Sequence, residues 1–177
     1  MHRKKIYLII LLMLPAGAAG ADEKCVQRPD AVQAYLRDHK GSSLVTVDDL
    51  LDPESREAWR KSGKEGLCPG FAASDLDGSG RIWYGLGLLY KKAGKTFEKL
   101  VLLSPDAGGL KEQTLSDLPL TGEASVVWRN TPGEYFDYNV NHNIQMPHDT
   151  IMYERIDKTA TAYYLDKGKL RSVLTSD

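Results

Sequence analysis

Asp75, Asp77 and Ser79 alternate with other residues in the stretch SDLDGSGRIW, residues 74–83, and Gly80 follows them. Oxygen-bearing side chains at every second position, closed by a glycine that permits a sharp turn, are how a calcium loop begins. Ca²⁺ takes about six to eight oxygens at roughly 2.4 Å. Asp75, Asp77 and Ser79 offer ligands at the first, third and fifth loop positions, and the Arg81 carbonyl offers one at the seventh. Trp83 then stands at the ninth and Leu86 at the twelfth. An EF-hand needs a bidentate carboxylate at the twelfth position and a helix on either side. Neither is present, so this is not an EF-hand. Asp and Gly are also favoured in tight turns without metal, because Asp bonds nearby backbone and Gly accepts positive φ. The expectation is a strand-joining turn that binds calcium weakly or not at all.

A second set of chemical groups lies in NVNHNIQMPHDTIMYE, where His142 and His148 stand near Asp149 and Glu154. Histidine with carboxylate can bind zinc or act as a base. The spacing matches no H-E-x-x-H pattern, and the Asn-rich, Pro147-containing stretch reads as a polar loop. It supports an alternative function, a metal-dependent hydrolase built on His142 and His148. No G-x-S-x-G nucleophile elbow occurs. Nor does a phosphate loop, since AGKT at 93–96 matches only its tail. No catalytic residue is assigned from the sequence.

Aromatic residues fall mostly in the strand-rich part of the chain, from residue 71 onward. Adjacent pairs such as Trp83-Tyr84 and Tyr163-Tyr164 must point to opposite faces of a sheet. One ring of each pair belongs to a core and the other to a far face, where Tyr and Trp favour contact surfaces. Trp83, Tyr135 and Tyr138 are the rings expected to touch a partner.

The elements that would position these groups follow from periodicity and turn signals. RPDAVQAYLRDHKG reads as a short helix capped by Asp30, with Val32, Tyr35 and Leu36 as its apolar stripe and Gly41 after its end. In DPESREAWRK, Asp52 precedes a Pro53 suited to the first helical turn, and Ala58 and Trp59 face inward. From residue 71 the pattern becomes strand-like. IWYGLGLLYKK and TFEKLVLLS flank a short AGK connection and read as a β-hairpin. ASVVWRN, DTIMYERI, TATAYYL and KLRSVLTS add further strands, and residues 105–123 are expected to form a long loop. The predicted fold is α+β, with two short N-terminal helices packed on an antiparallel β-meander of about six or seven strands.

The chain begins MHRKKIYLIILLMLPAGAAGADEK, a basic segment followed by an apolar run and small residues. This is the pattern of a secretory signal peptide. The apolar run is too short to span a membrane, which takes roughly 20 residues. Residues 1–21 are read as the leader and residues 22–177 as one domain. The expected location is the periplasm or the exterior, with no stable membrane anchor after cleavage. Loss of Arg3, Lys4 and Lys5 takes the net charge from −1 to about −4. A mildly acidic domain without a basic patch is not built to bind nucleic acid. Cys25 and Cys68 are the two cysteines, and in an oxidising compartment they are expected to pair.

GFAASDLDGSGRIWYGLGLLYK resembles the F-x-x-x-D-x-D/N-G-D-G-x-x-D-Y unit of FG-GAP and VCBS-type proteins. The tail YYLDKGKLRSVLTSD is similar to that of small exported bacterial proteins carrying one such unit. The resemblance implies a loop between two strands that holds calcium. Ser79 replaces an aspartate of that unit and Trp83 replaces its ninth-position carboxylate, so two negative charges are missing. The family's repeats build propellers, which one copy cannot do. Together these readings favour an exported, non-catalytic binding protein, of the inhibitor or immunity type, that caps a protein partner. No cofactor is expected beyond weakly held calcium.

Overall fold

The computed structural model describes Cys25 and residues 28–64, 67–156 and 158–176. The leader expected over residues 1–21 lies outside them. The described chain is mostly antiparallel sheet with two short helices, α1 (Asp30–Asp38) and α2 (Pro53–Trp59). Its eleven strands are β1 (Ser42–Leu44), β2 (Phe71–Ser74), β3 (Trp83–Lys92), β4 (Lys95–Asp106), β5 (Gly109–Pro119), β6 (Val126–Asn130), β7 (Gly133–Asp137), β8 (His142–Met146), β9 (Thr150–Glu154), β10 (Ala160–Asp166) and β11 (Lys169–Ser176).

They form two sheets and a separate hairpin, not one meander. In the first sheet the long strand β3 pairs with β4, and β5 follows outside β4. Two short strands share the other edge of β3. β2 pairs with its first half, from Ser74 opposite Trp83 to Phe71 opposite Leu86. β1 pairs with its second half, from Leu44 opposite Leu88 to Ser42 opposite Tyr90. The second sheet runs β11-β10-β9-β6, and β7 and β8 pair only with each other. A parallel bridge between Gly70 and Val127 joins the sheets along one side.

Alternation in β3 explains how the sheets meet. Leu86 and Leu88 point toward α1, into a cluster with Val32, Val101 and Leu103. Gly85 points the other way. A Cβ there would lie 2.5 Å from Ile151 Cγ2 and 3.0 Å from Val127 Cγ1, both on the second sheet. The absent side chain thus lets the sheets approach closely, a packing role for glycine in a strand. Leu76, Leu102, Val127, Ile151 and Tyr153 fill the space between the sheets. The Tyr153 hydroxyl reaches across to donate to the Val101 carbonyl at 2.5 Å, and burial pushes its pKa well up.

Outside layers cover both sheets. On the first, α1 presents Val32 with Tyr35 and Leu36. The Cys25–Cys68 disulfide, with a Cα–Cα distance of 4.8 Å, sits in the same cluster. Closing that loop stabilises the fold by roughly 4 kcal/mol on the chain-entropy account. Glu112 on β5 ties the helix to the sheet edge. It accepts from the Tyr35 hydroxyl at 2.9 Å and from Lys99 Nζ at 2.5 Å. Burial pushes the Glu112 carboxyl up, but the hydrogen bonds from Lys99, Tyr35 and Thr114 outweigh it and hold the pKa below its ordinary value. On the second sheet, the β7–β8 hairpin brings Met146, Tyr135 and Ile144 over Met152, Ala162 and Val173. Near its edge, α2 buries Trp59 against Leu50, Val126 and Ile156. Lys64 Nζ lies 3.4 Å from the Trp128 ring centre and 3.8 Å from Glu154.

Several expectations are corrected. The helices are separated by β1 and do not form a consecutive N-terminal pair. Asp30 is the first helical residue rather than the cap, a position held by Pro29. Asp52, by contrast, does cap α2, accepting from the Glu54 backbone N–H at 3.0 Å. Residues 105–123 are not a loop, because most of them make β5, an eleven-residue edge strand. Its solvated face carries polar side chains, and such a strand lacks the apolar run that sequence patterning detects. Residues 142–146, read as loop, form β8 for a similar reason: one face of the hairpin is wet.

Candidate functional site

The Asp-Gly loop joins antiparallel β2 and β3 at one end of the sandwich. Leu76, fully buried between the sheets, anchors it. Its polar groups are turned on one another. The Asp75 carboxylate accepts from Ser79 N at 3.1 Å and Gly80 N at 2.9 Å. Asp77 accepts from the Ser79 N–H at 3.0 Å and from the Ser79 hydroxyl. The Arg81 guanidinium completes the set, donating to Asp77 at 2.7 Å. The Ser79 hydroxyl, chiefly, holds the Asp77 pKa down to about 2, with help from the Ser79 N–H and from Arg81 and against a smaller desolvation penalty.

This arrangement does not fit an ordinary calcium site. The loop has two carboxylates, and Arg81 lies where a cation would approach Asp77. Among the described residues no group of three or more His, Cys, Asp or Glu side chains is placed to hold a metal. Chemically, the loop is a turn whose charges are met by its own donors. Gly78 at its tip has φ +69°, and a Cβ there would lie 2.5 Å from the His148 imidazole. His148 therefore packs on the loop.

The structure does not bring the two histidines together. His142 begins β8 opposite Asp137, whereas Met146 pairs with Gly133 at the other end of the hairpin. About 13 Å of strand separates His142 from Met146 at 3.3 Å per residue, and His148 lies beyond that, against Gly78. Asp149, buried, is paired with Arg129 at 2.8 Å. Glu154 accepts from Trp128 Nε1 at 2.7 Å.

Of the three rings singled out for contact, Tyr138 is half exposed. Trp83 is partly buried against the inter-sheet core, with its Nε1 buried and unpaired among the described residues. Tyr135 packs under the hairpin, and its hydroxyl donates to the Thr131 carbonyl at 2.5 Å. The second face of each sheet is covered, so the aromatic pairs are packed on both sides: Tyr84 against the α1 layer and Tyr164 under the hairpin. Sequence reasoning missed Phe136 and Val140. With Tyr138 they leave 39%, 50% and 52% of their surface exposed, in the order Phe136, Tyr138, Val140. Phe136 and Tyr138 meet edge to face, 4.9 Å between ring centres. The signal was present in EYFDYNV, whose three aromatics run from β7 into its turn.

Comparison of the chain with family models, with curated protein sequences and with solved structures returns no match.

Proposed function

We propose that the protein works outside the cytoplasm as a non-catalytic binder of a protein partner, and that the β7–β8 hairpin makes the contact. One observation carries this reading: Phe136, Tyr138 and Val140 stand exposed together on the hairpin and its turn. Aromatic side chains offer large contact area at low entropic cost and dominate interface energetics. The Cys25–Cys68 disulfide fits an oxidising compartment. No helix among the described residues is long and apolar enough to cross a membrane. The acidic balance of residues 22–177 favours a partner with a basic surface, which would be steered by charge before the rings seat.

The test is capture from periplasmic extract with wild-type protein and with a Phe136→Ala, Tyr138→Ala double variant. The expected result is one partner retained by the wild type and lost by the variant, with a binding cost of at least about 2 kcal/mol. Unfolding free energy should change little, because neither ring is core. Equal capture by both proteins would remove the hairpin from the interface. A hydrolase activity lost in His148→Ala or His142→Ala, with no partner recovered, would replace the reading with the enzymatic one.

A further inference from the structure

Three carboxylates are buried among the described residues. Asp149 is paired with Arg129, and Asp137 receives the Asn139 N–H of its own turn at 2.9 Å. Glu98 on β4 lines a cleft. It is 7% exposed and points between the sheets, at the end of the sandwich away from the Asp-Gly loop. Ser125 N donates to its Oε1 at 2.5 Å and Ser125 Oγ to its Oε2 at 3.1 Å. A carboxylate has about four lone-pair sites, so half of its acceptor capacity stays open. Glu98 has no cationic partner within 4.0 Å among the described residues. A buried charge without a counter-charge is costly.

The open side faces a cleft of about 180 Å³. Tyr153 and Tyr163, edge to face at 5.5 Å, contribute aromatic wall. Thr161 of β10, Thr159 just before it and Arg155, just past the end of β9, also line it. Arg155 forms no ion pair among the described residues, with Glu98 or with any other carboxylate. One small cleft is therefore lined by two opposite charges that do not reach each other.

We infer that this cleft binds a small zwitterion of the α-amino-acid class, its ammonium on Glu98 and its carboxylate on Arg155. The ammonium donates to the free lone pairs of Glu98 beside the tyrosine faces, where cation–π attraction adds to the ion pair. Arg155 offers the fork that matches a carboxylate. The size agrees. At about 180 Å³, the cleft suits an amino acid with a short side chain. Drug-sized ligands need about 300 Å³ or more. This site lies apart from the hairpin and does not depend on it.

Backbone-amide NMR titration of the disulfide-bonded protein with L-alanine tests the assignment. Ethylamine and propionate, which each keep one charge of alanine, serve as comparisons. Alanine should shift the amides of Ser125, Thr159 and Thr161 but not those of the β7–β8 hairpin, and each single-charge analogue should bind at least about tenfold more weakly. Glu98→Gln keeps an acceptor for Ser125, and Arg155→Gln alters only the rim. Each should weaken alanine at least about tenfold with an otherwise unchanged spectrum. No shift with alanine, glycine or serine at tens of millimolar overturns the inference. Undiminished binding in the folded Arg155→Gln variant does so too, as does ethylamine binding as tightly as alanine.

Discussion

The two ends of the sandwich handle charge in opposite ways. At the Asp-Gly end, Asp75 and Asp77 are spent on Ser79, Gly80 and Arg81 within the loop. At the other end, Glu98 and Arg155 line one cleft and leave each other unpaired. The end that looks like a site in the sequence is closed on itself, whereas the end that looks like nothing keeps charges that find no ion pair among the described residues. A carboxylate pattern shows only which groups are near in the chain. Whether they have acceptor capacity left depends on which donors the fold delivers to them.

The largest effect that sharpens this contrast is expected at Leu76. It is 0% exposed and roots the Asp-Gly loop in the inter-sheet core. Leu76→Ala should cost about 2–5 kcal/mol in urea unfolding, the range for a buried leucine truncation. A cost below about 1 kcal/mol would mean that the loop is a surface appendage. Next is Gly78→Ala. Its positive φ costs an L-residue about 1–2 kcal/mol, and the new methyl meets the His148 ring. A double-mutant cycle with His148→Ala should relieve the clash and leave the backbone cost. Full additivity would show that His148 does not pack on the loop.

Smaller still, and most direct for the comparison, is Glu98→Gln. Functional groups are commonly kept at the expense of stability. Neutralising an uncompensated buried charge should leave unfolding free energy unchanged within about 0.5 kcal/mol or raise it. A loss of about 2 kcal/mol would mark Glu98 as a structural partner of Ser125, like the carboxylates of the other end.

The smallest effect is a titration. Asp77 should show a midpoint near 2 by carboxyl-carbon NMR, against an ordinary 3.8. Since its folded pKa is depressed, the stability it contributes is present above about 3.8 and lost as pH falls through about 2. Ser79→Ala should raise the midpoint more than Arg81→Ala, because the Ser79 hydroxyl is the leading cause. Calcium at submillimolar concentration should move neither Asp75 nor Asp77 resonances. Micromolar affinity would show that the loop opens its donors to a metal.

Much of the architecture was legible before any coordinate. Asp52-Pro53 starts α2, and the Val32, Tyr35 and Leu36 stripe faces the core. Ala93 and Gly94, both at positive φ, turn the β3–β4 hairpin. The cysteine pair forms the bridge that an even count implies in an oxidising compartment. These features are local, or depend on composition alone, and periodicity with turn chemistry reports them. β5 and β8 escaped because each keeps one face in water, so that no continuous apolar run announces them.

The remainder belongs to the tertiary structure. Gly85 and Gly87 look like weak points in a strand, and only the second sheet shows that the missing side chains make room for Ile151 and Val127. Trp83 and Tyr135 look like contact rings until other layers cover them, while Phe136 is left outside. The sequence by itself determined the cysteine pairing and the strand-joining Asp-Gly turn, because those rest on composition or on neighbours in the chain. Only the fold decided that Glu98 of β4 and Arg155 after β9 would line the same cleft. Burial and charge balance depend on groups that are distant in sequence and come together when the sheets stack.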